Sequence, residues 1–146
     1  MSTEKHEENK AVVRRLFEEV FNRGKLAAVD ELWIEGQAEE GKRAVTRWRT
    51  AFPDYHRTID AQVAEGDTVA TRWTMRGTHG GPYESRALGR TVPPTGSRVE
   101  IRGMSMHRVV GGRITEASVV GQNDSLDLLQ QIGALPTLGV GTVEAN

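Results

Sequence analysis

The chain has 146 residues, with 19 Lys and Arg against 20 Asp and Glu, a formal charge of −1 and no cysteine. That length fits one domain over 1–146, and the missing cysteine excludes a disulfide-stapled scaffold, a thiolate zinc site and a thiol nucleophile. A near-neutral balance argues against a nucleic-acid partner, which calls for basic excess to neutralise phosphates. No apolar run approaches a bilayer span and the polar start MSTEKHEENK lacks a signal h-region, so a cytoplasmic protein without membrane contact is expected.

Val13, Leu16, Phe17, Val20 and Phe21 recur at helical spacing and predict an amphipathic helix over 7–23, stopped by Gly24. Leu26, Val29, Leu32 and Trp33 repeat the pattern in a short second helix. Val45, Trp48 and Phe52 mark one face of a third, which Pro53 ends. At Tyr55 the period changes to two. Ile59, Ala61 and Val63 alternate with Thr58, Asp60 and Gln62 in a first strand, and Glu65-Gly66-Asp67 turns into a second over 68–79. The Gly- and Pro-rich stretch 80–96 reads as a long irregular connection. A third strand over 98–110 meets a Gly111-Gly112 hairpin turn and a fourth strand over 113–120. Asp124 to Asp127 opens a last short helix that Gly133 closes. The core is expected over 9–133, while the tail 134–146 has little with which to bury itself and is expected to fray. Helices first and strands after predict an α+β domain: a cone-shaped, curved antiparallel β-sheet packed around three N-terminal helices, with an internal pocket for a small molecule.

Alternation on the third strand puts Val99, Ile101, Gly103, Ser105, His107 and Val109 on one face, with Glu100, Arg102 and Arg108 on the other. His107 is therefore either a proton carrier or hydrogen-bond donor to a carbonyl, or a core imidazole satisfied by backbone. His79, at the end of the second strand, is a rim residue or a solvated one. Phe17, Phe21, Trp48, Phe52, Trp73 and Met75 are core or pocket wall, and Trp48, Trp73, Met75, Ser105 and His107 are expected to converge on one cavity. Asp124 and Asp127, three apart at a helix start, read as a cap and its first-turn partner. Glu116 faces solvent or a partner if Ala117 and Val119 face inward, and Glu39-Glu40 either reaches over the pocket or is solvated. The four histidines, 6, 56, 79 and 107, fall on different elements and show no metal-ligand spacing. Neither Gly80-Gly81 nor Gly111-Gly112 belongs to a phosphate-binding pattern. No metal, flavin or nicotinamide cofactor is expected.

Asn9-Lys10-Ala11-Val12-Val13-Arg14-Arg15-Leu16-Phe17 and Phe21-Asn22-Arg23-Gly24 resemble the opening of the SnoaL-like polyketide cyclases. So do Ala51-Phe52-Pro53-Asp54, Arg72-Trp73-Thr74 with Gly77-Thr78-His79, Pro93-Pro94-Thr95-Gly96 and Leu128-Leu129-Gln130-Gln131-Ile132-Gly133. The resemblance spans 9–133 and implies the cone fold shared with ketosteroid isomerase and scytalone dehydratase. It also implies a homodimer and cofactor-free ring closure on a polyketide intermediate in natural-product biosynthesis. This sequence departs from the family's pattern at three places. The polar pair between the second and third helices is missing from Ile34 to Glu40, and the connection from Pro82 to Val92 is longer, as a lid would be. Val119 stands near where the aldol cyclases carry an acid/base Asp, which makes Val119 a substrate-contact position and leaves Asp124 the nearest carboxylate. The leading expectation is thus conformational templating, a pericyclic or conjugate-addition closure aided by a hydrogen bond from His107 or Ser105. The alternatives are acid/base chemistry through His79, His107 or Asp124 (isomerase, dehydratase, epoxide hydrolase or aldol cyclase), or a non-catalytic accessory to oxidative tailoring.

Overall fold

A computed structural model describes residues 2–121 and 126–136. Helix α1, Thr3–Arg15, starts four residues before the predicted boundary because Ser2 caps it: the Lys5 amide donates to Ser2 Oγ at 3.2 Å. From Leu16 to Asn22 the helix continues with π geometry, a form found as short insertions and often at functional sites. It ends where Arg49 donates from Nη1 to the carbonyls of Phe21 and Asn22, at 2.8 and 3.0 Å. A Cβ on Gly24 would lie 2.8 Å from that guanidinium, so Gly24 serves both the left-handed turn and the close approach. Helices α2, Ala27–Leu32, and α3, Ala38–Ala51, follow.

The sheet has the order β1-β2-β5-β6, all neighbours antiparallel, with β1 His56–Glu65, β2 Thr68–Thr78, β5 Arg98–Val110 and β6 Arg113–Gly121. It curves around the helices as the cone the sequence predicts, and its inner face brings Val69, Trp73, Met75, Val99, Ile101, Val109 and Ile114 to a core that the helices supply in larger part. Burial along β5 alternates strictly, with Val99, Ile101, Ser105, His107 and Val109 inside. Gly111 and Gly112, both at positive φ (60° and 78°), form the two-residue turn that sets the β5–β6 register.

Two bulges break the simple alternation. One lies between Ile59 and Ala61, so Asp60 is the extra residue of β1. Arg57 and Ile59 turn inward before it, Gln62 and Ala64 after it, and Val63 is left 66% exposed, which corrects the single face expected for Ile59, Ala61 and Val63. The other makes Thr115 the extra residue of β6, setting Ala117 opposite His107 and Glu116 opposite Arg108. The connection 80–96 is also corrected. It holds a small hairpin, β3 Tyr83–Ser85 with β4 Arg90–Val92, because Tyr83 buries itself beside Trp48 and Phe52 of the α3 end and its cross-strand partner Val92 is buried with it. The terminal helix α4, Leu126–Gln131, docks on β5, where the Gln131 amide both donates to the Glu100 carbonyl and accepts from its N–H. Its expected opening at Asp124 lies outside the described residues. Among the described residues no helix is long and apolar enough to cross a membrane.

Candidate active site

Between the helices and the inner face of β5 and β6 lies a cavity of about 570 Å³, within the range that holds a small molecule. The π-helical segment contributes Leu16, Val20 and Phe21, α2 contributes Val29, and α3 contributes Ala44 and Val45, so the walls are apolar. Arg57, Ser105 and His107 form the polar floor, while Gln37, Glu40, Thr115 and Ser118 lie on the side that opens to solvent. Two further concavities, of about 510 and 500 Å³, are lined mainly by charged and polar groups, and the first meets the back of Phe17 and Arg57.

Each floor residue is placed by a local rule. His107 and Ser105 share the inward parity of β5. Trp73, whose cross-strand partner is Gly103, lays its indole over that glycine and donates from Nε1 to Ser105 Oγ at 2.8 Å. With one lone pair engaged by the indole, the Ser105 hydroxyl keeps its own proton for a cavity ligand. A Cβ on Gly103 would sit 2.6 Å from the Trp73 ring, so Gly103→Ala is expected to lose roughly 1–3 kcal/mol by urea denaturation despite the helpful loss of backbone freedom. Wild-type stability in that variant would refute the packing described.

Arg57 is held through its backbone and left unpaired through its side chain. Asn22, the last residue of the π segment, donates to the Arg57 carbonyl at 3.0 Å and accepts from its N–H at 2.7 Å, covering the open edge of β1. The guanidinium then enters the core and is 6% exposed. Four rings surround it: Trp73 at 4.1 Å, Phe21 at 4.4 Å, Phe17 at 5.0 Å and Tyr55 at 5.5 Å from Cζ to the ring centroid. The Tyr55 oxygen neighbours it without hydrogen-bond geometry, so that hydroxyl and Arg57 Nε both remain unpartnered. No carboxylate among the described residues forms an ion pair with it. Burial lowers the guanidinium from its ordinary range, yet arginine stays protonated in proteins. Burial raises the Tyr55 phenol, which is therefore neutral.

The imidazole of His107 meets this cation. Burial first, and the charge of Arg57 second, push it down to about 4, so at neutral pH it is a neutral ring. Its Nδ1 is buried with no partner, and Phe17 packs edge-on at 6.3 Å. The cavity thus presents a cation, a hydroxyl proton and a neutral imidazole, while Glu40 and Glu116, the carboxylates that touch it, are 78% and 71% exposed.

Of the residues singled out in the sequence, Phe21, Ser105 and His107 line this cavity, and Phe17 and Trp73 stand directly behind its floor. Trp48 and Phe52 belong instead to an aromatic cluster with Tyr55 and Tyr83, and Met75 is buried by Phe52 near Gly77; none of the three lines the cavity. His79 is fully buried at the far end of β2, with its Nδ1 accepting from the Thr95 amide at 3.2 Å, and it fastens the 80–96 connection rather than facing the cavity. That connection contributes nothing to the cavity lining, so it covers α3 and not the opening. Val119 pairs with Ser105 through its backbone, and Asp124 lies outside the described residues. Sequence reasoning missed Arg57, although its parity matches that of inward-facing Ile59, two positions on; it also missed the part of Asn22.

A curved sheet closed by helices over an apolar cavity with a few convergent polar groups defines an α+β domain of the cone type with an internal pocket. The chain belongs to the SnoaL-like polyketide cyclase family, whose model matches residues 11–132. IdmH of Streptomyces antibioticus, described as a candidate polyketide cyclase, is 32% identical, with a TM-score of 0.65 over 86% of this chain and 98% of that one. AclR of Streptomyces galilaeus, described as a candidate hydroxylase, is 26% identical, with a TM-score of 0.74 over 92% of this chain and 87% of that one. A SnoaL-like protein from Jannaschia sp. CCS1 shares the fold at 23% identity, with a TM-score of 0.75 over 90% of this chain and 95% of that one. Among curated proteins there is no match.

Proposed function

We propose that the protein is a cofactor-independent cyclase of a polyketide-type intermediate in cytoplasmic natural-product biosynthesis, closing its ring by holding a flexible substrate in a reactive conformer. The observation that carries this reading is the make-up of the cavity: apolar walls that select a shape, with donors on the floor. Orientation alone can remove several kcal/mol from a barrier. Ser105, or a nitrogen of His107 carrying its proton, polarises a substrate carbonyl as charge develops on oxygen. Neutral His107 is a weak base at this depressed pKa, which favours a pericyclic or conjugate-addition closure over a step that must generate a carbanion.

The test is single-turnover ring closure of a linear polyene–polyketone between pH 5.5 and 8. A flat profile is expected, with His107→Ala slower by roughly tenfold to a hundredfold, the cost of one hydrogen bond to carbonyl oxygen. A steep rise through one pKa that vanishes in the variant would instead make His107 an acid/base catalyst. The likeness to AclR supports a second reading, an accessory in oxidative tailoring. Repeating the assay without dioxygen separates the two, since templated closure proceeds unchanged.

A further inference from the structure

Arg57 poses a problem that the cyclase reading leaves unsolved. Templating needs a shaped apolar wall and a hydrogen-bond donor, and Ser105 and His107 already supply donors. A buried cation without a counter-ion is costly, and replacing such a charge with an apolar side chain of similar volume is often neutral or stabilising. The four rings recover part of that cost through their π faces. They cannot use the in-plane N–H donors of a guanidinium, and the one Arg57 atom that is buried and unpartnered is a donor, Nε. Asn22 uses both the nitrogen and the oxygen of its side-chain amide to fix the Arg57 backbone, so the position is held independently of what the guanidinium meets. The charge also bears on His107, which it helps to keep neutral.

We infer that Arg57 is the anchor for a planar, two-oxygen anionic group on the substrate, a carboxylate or the enolate of a 1,3-dicarbonyl, whose apolar remainder fills the cavity. The fork of a guanidinium matches two coplanar oxygens, which neither Ser105 nor a single imidazole nitrogen can do. Seated there, the anion supplies the counter-ion the fold omits, and the rings behind the guanidinium keep water from competing with it. This names the substrate class for the cyclase reading and rests on it for the word substrate, but the binding it requires is measurable without turnover.

The probes are decanoate against 1-decanol, and dodecane-2,4-dione against dodecan-2-one, titrated into the full chain at pH 7 by calorimetry. Decanoate is expected to bind about tenfold to a hundredfold tighter than decanol, the range for a hydrogen bond to a charged group. Arg57→Met, which keeps length and apolar contact with the rings, is expected to erase that preference while still binding decanol. For the dione, the enolate absorption band is expected to appear on binding to wild type and to vanish in Arg57→Met. A carboxylate response alone assigns the anion to a free acid, and a dione response alone assigns it to an enolised dicarbonyl. Equal affinity for decanoate and decanol together with no enolate band overturns the inference, as does a preference that survives in Arg57→Met. Should that variant fail to fold, the wild-type protein decides: the His107 imidazole, followed by NMR, must titrate at higher pH with decanoate bound than with decanol bound, because the anion cancels the field of Arg57. An unchanged titration refutes the anchor. Arg57-dependent probe binding with no ring closure in the preceding assay would overturn the cyclase and leave the anchor standing.

Discussion

Trp73→Ala should lose about 3–5 kcal/mol of folding free energy, the range for deleting a buried aromatic side chain. For a domain of this size that is on the order of 10 °C in midpoint temperature. The cost is high because one side chain serves three contacts. Its indole covers Gly103, its Nε1 donates to Ser105 at 2.8 Å, and its ring lies 4.1 Å from the Arg57 guanidinium. Removing it opens a void beside a buried charge and takes away both a π face and the hydrogen bond that orients Ser105. A typical domain has only about 5–15 kcal/mol to lose, so the alanine variant gives up a large share of its stability. Trp73→Phe separates packing from hydrogen bonding: it should lose about 1–2 kcal/mol and leave Arg57 caged. Urea denaturation of the three proteins at one temperature measures both losses. Equal midpoints for wild type and Trp73→Ala would show that the ring does not hold the floor together. Ring closure by folded Trp73→Phe at the wild-type rate would show that the orientation of Ser105 is irrelevant to catalysis.

The reading of the fold from sequence succeeded where side chains follow a period and failed where the backbone adds a residue. On β5, thirteen residues alternate without interruption, and the inward set from Val99 to Val109 was legible directly. On β1 the same method puts Ile59, Ala61 and Val63 on one face, because nothing in the run Thr58 to Val63 marks Asp60 as a bulge; the extra residue becomes visible only in the pairing with β2. The π segment is silent for a related reason. Leu16, Phe17, Val20 and Phe21 satisfy an α-helical stripe, and the widened turn that aims Asn22 at β1 depends on tertiary contacts with Arg57 and Arg49. The 80–96 hairpin is hidden by its glycines and prolines, since Tyr83 becomes core only once α3 offers Trp48 and Phe52 to cover it.

The site divides along the same line. Ser105 and His107 are short-range facts of one strand. Arg57 is not, because a charge in a strand reads as an outward residue, and only four rings from the π segment, the β1 entry and β2 make the inward position tolerable. The polar group whose presence inside is hardest to justify by packing alone is therefore the one that sequence pattern could not find.

Stability should fall by about 2 kcal/mol between pH 8 and pH 5, and His107→Gln should remove most of that dependence. The native imidazole titrates at about 4, against 6.5 for an unperturbed histidine. Between those values the unfolded chain takes up a proton that the native state refuses, so acidification favours unfolding. The contribution is complete above pH 6.5 and is lost as pH falls toward about 4, reaching roughly 3 kcal/mol at the lower end. Two other shifted groups bear on the same curve. Burial also lowers His79, which adds a loss of the same sign that His107→Gln leaves in place. Asp54, held down by the Thr78 amide, has its contribution complete above its ordinary pKa of 3.8 and loses it only below, outside this window. Urea midpoints for wild type and His107→Gln at pH 8, 6.5 and 5 resolve the difference, with the slope against pH as the readout, because any cost of the amide itself is the same at every pH and cancels from the slope. Parallel curves would mean that His107 is protonated about as easily in the native state as in the unfolded one. A native imidazole of that kind would carry charge beside Arg57 near neutral pH, and neither a flat rate profile nor a neutral hydrogen bond to a substrate carbonyl would follow.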